Sequence, residues 1–227
     1  MGDSTPLFGF EHVGVAGPRG ARLVDVDGSV PERGATVVVG PSGAGKSTLL
    51  RLCNRLEAPT SGTVRFRGDD VASLDPLALR RRVGMVFQRP TPFPGTVRDN
   101  LMVAAPGLDD GAAKEVLGRA DLPPRFLDRP AHELSAGEAQ RVCLARTLVT
   151  VPEVLLMDEP TSSVDPRSRR ALEEMTRALA TDGVPVLWVT HDHGQARRLA
   201  DHVIVLAAGR IDYAGTMDRV ERFLDDL

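Results

Sequence analysis

The feature that most constrains this sequence is an eight-residue segment, Gly40–Ser47, which reads G-P-S-G-A-G-K-S. An apolar run, Thr36–Val39, precedes it, and Ser47–Leu56 follows with a composition typical of a helix. Glycines let successive backbone N–H groups turn toward phosphate oxygens, and the helix N-terminus adds partial positive charge. Strand, loop and helix stand in the order that a phosphate-binding loop (P-loop) requires, so we predict an α/β fold that binds a nucleoside triphosphate. The nucleotide-binding residues predicted here are Gly40, Pro41, Ser42, Gly43, Ala44, Gly45, Lys46, Ser47 and Thr48.

The composition is ordinary for a globular protein, with 227 residues and a net charge of −3. This length suits one large α/β domain spanning residues 1–227. Because no overall basic field is present, we predict no nucleic-acid partner. The longest apolar run, Val203–Ala208, is far shorter than the ~20 residues of a membrane-spanning helix, and no secretory leader is recognisable, which indicates a cytoplasmic protein. Cys53 and Cys143 are expected to be buried apolar side chains rather than a disulfide or metal site.

Continuous apolar runs predict a parallel sheet buried on both faces. These runs are Val154–Met157, Val186–Val189 and Val203–Leu206. Gly84–Phe87 is expected to add another core strand, whereas Phe8–Val15 and Leu23–Val30 alternate loosely and indicate an antiparallel region. Residues 89–150 differ, because helical stretches alternate there with proline-rich loops. We therefore predict an α/β fold: a P-loop core with a doubly wound sheet, an antiparallel β subdomain and an inserted helical subdomain.

A second motif lies far downstream, where Leu134–Glu138 reads L-S-A-G-E. It is a near match to the L-S-G-G-Q signature of ATP-binding cassette (ABC) proteins, and Ala139–Arg141 continues it. Together with the P-loop, it makes the chain resemble the ATP-binding subunits of ABC transporters from about Leu7 to about Thr216. The cofactors that this resemblance implies are ATP and Mg²⁺.

The resemblance implies a group of residues for hydrolysis. Val154–Pro160 reads V-L-L-M-D-E-P, in which Asp158 is expected to hold Mg²⁺ and Glu159 to polarise the attacking water as general base. Gln88 matches the family's Q-loop and is expected to contact Mg²⁺ or the attacking water. His191 matches the switch histidine that contacts the γ-phosphate. These residues predict an active ATPase.

The P-loop supplies the remaining predicted contacts to phosphate and metal. Lys46 is expected to lie on the β- and γ-phosphates, and the Ser47 hydroxyl is expected to bind Mg²⁺. The predicted metal ligands are therefore Ser47, Gln88 and Asp158.

In the family, the signature binds the γ-phosphate that the opposite subunit holds. This role would fall to Ser135 and Gly137, and the loop ending at Asp165 would cross to the partner. Two copies are therefore expected to pair head to tail around two ATP molecules and to be monomeric without ATP. Ala136 replaces the usual first glycine, which would crowd the phosphate if that position needs positive φ. Glu138 replaces glutamine and is expected to be tolerated.

One family feature is absent from the sequence. ABC proteins usually stack adenine on an aromatic residue upstream of the P-loop, and the corresponding segment here, Val15–Pro18, contains none. Losing a base–aromatic stack could cost on the order of 1–3 kcal/mol. We expect weaker adenine selectivity or a substitute contact such as Val15.

The segment Arg89–Pro94 reads R-P-T-P-F-P, and in the family it lines the groove that receives the membrane subunit. Its prolines stiffen the loop, and Phe93 offers an apolar anchor. The expected partner is an integral membrane permease at the inner face of the cell membrane. The run resembles that of phosphate-import ATPases and also that of the short ATPases of metal export and aluminium tolerance. The length of the chain favours the second group. A soluble ABC ATPase without a transporter and a nucleotide-sensing module remain alternatives.

Overall fold

The computed structural model describes residues 5–18 and 20–224 as two sheets with eight helices. The strands are β1 (Phe8–Val15), β2 (Leu23–Val30), β3 (Ala35–Val39), β4 (Ser61–Phe66), β5 (Asp69–Asp70), β6 (Val83–Val86), β7 (Val154–Asp158), β8 (Val186–Val189), β9 (His202–Ala207) and β10 (Arg210–Gly215). The helices are α1 (Lys46–Cys53), α2 (Pro76–Arg82), α3 (Val97–Ala104), α4 (Asp110–Arg119), α5 (Ala136–Leu148), α6 (Pro166–Thr181), α7 (His193–Leu199) and α8 (Met217–Leu224). Short 3₁₀ turns occur at Val71–Ser73, Pro124–Phe126 and Ala131–Glu133.

The main sheet has six strands in the order β10-β9-β3-β8-β7-β6. Five of these strands are mutually parallel: β3, β6, β7, β8 and β9. The sixth strand, β10, forms one edge of the sheet and runs antiparallel to β9. Side chains alternate between two cores: Val37 and Val39 of β3 pack on the face covered by α3–α7, whereas Val38 packs toward α1. The predicted buried parallel sheet is confirmed, because both faces are covered and each strand can be apolar throughout.

One predicted strand boundary is wrong. Phe87 lies outside β6, which ends at Val86 opposite Met157, and its side chain is 48% exposed. The Phe87 carbonyl leaves the strand ladder and accepts a hydrogen bond from Gln140 Nε2 at 2.9 Å. The chain turns away from the sheet at the point where the predicted Q-loop begins.

The smaller sheet is antiparallel, with the order β2-β1-β4-β5, as predicted. It covers α1, which is shorter than predicted: the helix ends at Cys53, not at Leu56. Arg55 adopts a left-handed conformation with φ 56°, which cannot continue a right-handed helix.

The segment 89–150 contains α3, α4 and α5, as the proline-rich pattern predicts. Helices α7 and α8 were not predicted from the sequence. The former has seven residues, too few to show a periodic pattern. Cys53 and Cys143 are free and buried in different helices, in agreement with prediction. Within the described ranges, every helix is too short or too polar to cross a membrane.

Candidate nucleotide-hydrolysing site

The P-loop joins β3 to α1, and its glycines fit where other residues would not. A Cβ on Gly40 would overlap the carbonyl oxygen of Leu206. Gly45 has φ 102°, and its Cβ would lie 2.6 Å from the carbonyl oxygen of Arg22. Packing against β9 and the start of β2 therefore sets the shape of the loop, with the N-terminus of α1 behind it.

Lys46 lies at the first position of α1 and is only 5% exposed. Its ammonium donates hydrogen bonds to the carbonyl oxygens of Gly40 (2.7 Å) and Pro41 (2.9 Å). Burial lowers the pKa of Lys46, and the carboxylates of Glu159 and Asp158 oppose that shift. A cation is thus held in the mouth of the loop, where phosphate oxygens would arrive.

Ser47 and Asp158 meet across the sheet edge. The Ser47 hydroxyl donates to Asp158 Oδ1 at 2.7 Å, although the residues are 111 positions apart. Burial raises the pKa of Asp158, while the Ser47 hydrogen bond and the charge of Arg51 act in the opposite direction. A hydroxyl and a carboxylate are hard oxygen donors of the kind that Mg²⁺ takes alongside water, so these two residues fit the metal.

Glu159 follows Asp158 and contacts two further predicted residues. Its Oε2 lies 3.2 Å from His191 Nδ1 and accepts a hydrogen bond from Gln88 Nε2 at 3.4 Å. Its backbone has φ 43°, a left-handed conformation that is rare for a residue with a side chain. Strain of this kind persists only where the surroundings impose it, and it concentrates at functional sites.

The contacts of Gln88 bear on its predicted roles. Among the described residues, its side chain bonds to Glu159 and not to the Ser47–Asp158 pair. Its placement beside the predicted general base is therefore observed, and its role as a metal ligand stays a prediction.

The signature segment begins α5 and forms a capping box. Ser135 Oγ accepts a hydrogen bond from the Glu138 backbone N–H at 3.3 Å, and the Glu138 carboxylate accepts one from Ser135 N–H at 2.8 Å. Arg129 pairs with Glu138 at 3.0 Å, which accounts for a carboxylate at the position of the usual glutamine. Ala136 is helical and has no positive φ, so the strain considered for a non-glycine residue does not arise.

Gly137 packs against α6 of the same chain rather than against the P-loop. A Cβ there would overlap Ser168 Oγ and lie 2.6 Å from Ser168 Cβ. Asp165 caps α6 by accepting hydrogen bonds from the Ser168 and Arg167 N–H groups, both at 3.0 Å. Hydrogen bonds from Ser168 and then Arg167 lower the pKa of Asp165. The structure thus brings together Gly137 and Asp165, both predicted to act across a dimer.

Comparison with known proteins identifies the family. The family model described as ABC transporter matches residues 23–162, more than half of the chain. The chain belongs to the ABC transporter family. Rice STAR1 is 48% identical over 195 residues, which cover 84% of this chain, and the chain spans only 56% of the length of STAR1. The Vibrio cholerae phosphate import ATP-binding protein PstB 1 is 38% identical, with coverage of 94% of this chain and 85% of PstB 1.

Solved structures of ABC ATPases share the fold. CbiO1 of Clostridium perfringens, part of the ABC transporter complex cbiONQ, has a TM-score of 0.85 and 26% identity, covering 98% of this chain and 92% of CbiO1. A dimeric ATP-binding cassette in a post-hydrolysis state, with ADP and Pi bound, has a TM-score of 0.81 and 29% identity, covering 92% and 98%. The predicted ABC ATPase fold is confirmed.

The structure also adds a residue that the sequence analysis missed. Arg51 Nη2 lies 3.8 Å from Asp158 Oδ2. Arg51 stands four residues after Ser47 on α1, and such spacing puts two side chains on one face of a helix. From this spacing, the sequence could have predicted that Arg51 lies beside Ser47, close to Asp158 at the carboxyl end of β7.

The adenine region of this ABC ATPase differs from one expectation. Val15 is 1% exposed and belongs to the apolar core, so it offers no surface to a base, and its suggested role as a substitute contact is wrong. An extra residue in β1 between Phe10 and Val13 places Val13 and Val15 on the buried face. At Gly17 a Cβ would lie 2.9 Å from the carbonyl oxygen of Gly20, so the tight turn there also excludes an aromatic side chain.

We expect this ABC ATPase to discriminate poorly between purines. Without the aromatic stack, the nucleotide is held chiefly through its phosphates, which ATP and GTP share, so kcat/KM for GTP should lie within a few-fold of that for ATP. Steady-state hydrolysis of both nucleotides measures this. Strict preference for ATP would show that another group recognises adenine.

Substitution of Gly137 by alanine is expected to destabilise the protein even without nucleotide. The new methyl group must displace Ser168, and overpacking of this kind costs about 1–3 kcal/mol of unfolding free energy. Chemical denaturation of Gly137→Ala, Ser168→Gly and the double variant measures it, with Ser168→Gly as the matched baseline. The double variant should regain part of the loss, and strictly additive effects would refute the packing explanation.

Proposed function

We propose that this chain is the ATP-hydrolysing, energy-coupling subunit of an ABC transporter. Residues 1–227 form one ABC ATPase domain with the helical segment 89–150 inserted, and two copies pair when ATP binds. They drive a separate integral membrane permease from the cytoplasmic face of the cell membrane. The observation that carries the proposal is the contact of Glu159 with both Gln88 and His191, next to the Ser47–Asp158 pair.

The side chains support a direct attack of water on the γ-phosphate. Lys46 neutralises phosphate charge, and the N–H groups of the P-loop orient the phosphates. Glu159 accepts the proton of the attacking water. His191 contacts Glu159, orients this carboxylate and reaches the γ-phosphate. Mg²⁺ bound by Ser47 and Asp158 would offset the charge of the phosphates.

The exposed start of α5 supports a site shared between two chains. Ser135 and Ala136 are exposed at a helix N-terminus, which favours an anion. Gly137 and Asp165 pack together in one chain, so the signature and the loop before α6 form one continuous surface for the partner. A two-fold axis then places each signature over the other chain's ATP. The related cassette with ADP and Pi is itself a dimer.

A groove beside the predicted Q-loop supports the permease contact. It is a cavity of about 310 Å³ that includes Phe87, Phe93 and Val103, with Arg80 and Arg89 at its margin. These three apolar residues are 48%, 44% and 60% exposed, so the groove offers a partner an apolar contact surface. The Arg146 guanidinium stacks 4.5 Å from the Phe93 ring centroid and holds it in place.

Co-purification from native membranes tests the proposal. A tagged chain should bring down a polytopic permease, and Val103→Asp should lose it because a charge then lies in the apolar groove. Ala178→Asp, on an exposed part of α6 outside the groove, is the matched control and should retain it. If neither protein recovers a membrane protein under conditions that preserve known transporters, the chain is a soluble ABC ATPase or a sensing module instead.

The co-purified subunits also decide the substrate class. A small permease alone indicates metal export or aluminium tolerance. A pair of permease subunits with a phosphate-binding protein indicates phosphate import, as in the relative PstB 1. We propose a metal ion or phosphate as the substrate, selected by the permease.

A further inference from the structure

A buried polar cluster lies behind the hydrolytic edge of the sheet. Its centre is Gln195, which is 1% exposed, and neither the sequence motifs nor the proposed mechanism uses it. The cluster comprises Thr161, Glu173, Trp188, Gln195 and Arg198. Thr161, Glu173 and Trp188 are 6%, 5% and 0% exposed, so their polar groups depend on partners inside the protein.

The side-chain amide of Gln195 uses all its polar groups. Its Nε2 donates hydrogen bonds to Thr161 Oγ1 (3.1 Å) and Glu173 Oε1 (2.9 Å). Its Oε1 accepts one from Trp188 Nε1 at 3.1 Å. Such a fully satisfied buried network fixes one arrangement of the elements that it joins, since every alternative leaves a polar group unpaired.

Glu173 anchors this amide as a buried carboxylate. Arg198 donates to both of its oxygens at 2.8 Å. Burial raises the pKa of Glu173, but hydrogen bonds from Arg198 and Gln195 outweigh that effect and leave it below its ordinary value. The carboxylate therefore stays charged near neutral pH and holds α6 against α7.

The positions of these residues in the chain connect them to the catalytic groups. Thr161 stands two residues after Glu159, and Gln195 stands four residues after His191. Trp188 belongs to β8, whose end leads into His191. One amide thus links the turn that carries the general base to the helix that follows the switch histidine.

Two features show why such a link is needed. Glu159 has a left-handed backbone that its surroundings must impose. His191 is 61% exposed at its side chain, and its recorded link to the site is the 3.2 Å contact with Glu159. A brace behind both residues would hold the two loops in a fixed relative position although the His191 side chain is largely exposed.

We propose that Gln195 is a positioning residue for hydrolysis: it fastens the Glu159 turn to the His191 helix so that both move as one unit when nucleotide binds. This inference rests on the proposed ATPase function. Thr161 is its contact on the Glu159 side, and Trp188, the single tryptophan of the chain, reports on it directly.

A pair of threonine substitutions gives a matched test. Thr161→Val removes the bond between the amide and the Glu159 turn. Thr176→Val removes the hydroxyl of an α6 residue that is 0% exposed; this hydroxyl donates to the Leu172 carbonyl of its own helix (2.8 Å) and to Met157 Sδ (3.6 Å). Thr161→Val should lower kcat about five- to tenfold with unchanged ATP affinity, since one buried hydrogen bond is worth about 1 kcal/mol. Thr176→Val should leave kcat unchanged while it lowers the denaturation midpoint.

Gln195→Met supplies a stronger variant and a spectroscopic readout. It should lower kcat more than Thr161→Val does, with ATP affinity retained because the P-loop is untouched. Mg-ATP should change Trp188 emission in the wild-type protein and leave it unchanged in Gln195→Met. Two results together overturn this inference alone: equal kcat in Thr161→Val and Thr176→Val, and a change of Trp188 emission on Mg-ATP addition in Gln195→Met that equals the change in the wild-type protein. A wild-type protein that binds but does not hydrolyse ATP overturns the proposed function as well.

Discussion

Replacing Glu159 with glutamine is expected to lower the rate of ATP hydrolysis by about 100- to 10,000-fold, the range that a general base contributes. The amide cannot accept the proton of the attacking water, but it keeps the size and hydrogen-bonding reach of the carboxylate. Gln88 and His191 therefore retain a partner, and Mg-ATP binding should persist. Steady-state phosphate release and nucleotide titration measure the two effects separately.

Glu115→Gln is the control for this substitution. It makes the same chemical change on the exposed surface of α4 and should leave hydrolysis unaltered. If Glu159→Gln also leaves hydrolysis unaltered, the assignment of the general base is wrong. If it abolishes binding together with hydrolysis, Glu159 serves the nucleotide pocket and not the chemical step.

Replacing Lys46 with alanine is expected to weaken ATP binding by about 10- to 150-fold, because a hydrogen bond to a charged group is worth about 1.5–3 kcal/mol. The ammonium is already positioned at the loop by two carbonyl oxygens, so little ordering is needed when phosphate arrives. Isothermal titration in the Glu159→Gln background measures the affinity without turnover.

Lys114→Ala, at a half-exposed lysine of α4, is the matched control and should bind ATP like the parent protein. Circular dichroism of Lys46→Ala should show a folded chain, since the loop is shaped by backbone packing at Gly40 and Gly45. Unweakened binding by a folded Lys46→Ala protein would place the phosphates elsewhere.

The residues proposed for hydrolysis could be selected from the sequence only through the resemblance to ABC proteins, and the topology explains why the structure brings them together. Asp158 and His191 follow apolar runs, and parallel strands covered on both faces must carry such runs. The carboxyl ends of parallel strands share one edge of the sheet, so residues that follow β6, β7 and β8 converge there. The contact between Glu159 and His191 lies at this edge.

The adenine region could not be predicted, because it depends on irregular strand pairing. Alternation along Phe8–Val15 gives Val15 a surface position only if β1 is regular. The register shift between Phe10 and Val13 reverses that assignment, and no residue type in the segment indicates a bulge.

The Gln195 cluster was hidden for a different reason. Its residues come from a strand, a turn and two helices, and each is an ordinary polar or aromatic residue in its own segment. Only the folded chain shows that Gln195 lies between Thr161 and Glu173, 34 and 22 positions away. Similarly, the contact of Gly137 with Ser168 depends on the packing of α5 on α6, which sequence spacing does not encode.

We infer that one chain supplies only half of each hydrolytic site, with the P-loop on one copy and the signature on the other. Light scattering of Glu159→Gln, with and without Mg-ATP, tests it most directly. We expect the mass of a single chain without nucleotide, and the mass of two chains with two bound ATP molecules when Mg-ATP is present. A Glu159→Gln protein that binds ATP and keeps the mass of a single chain would contradict it.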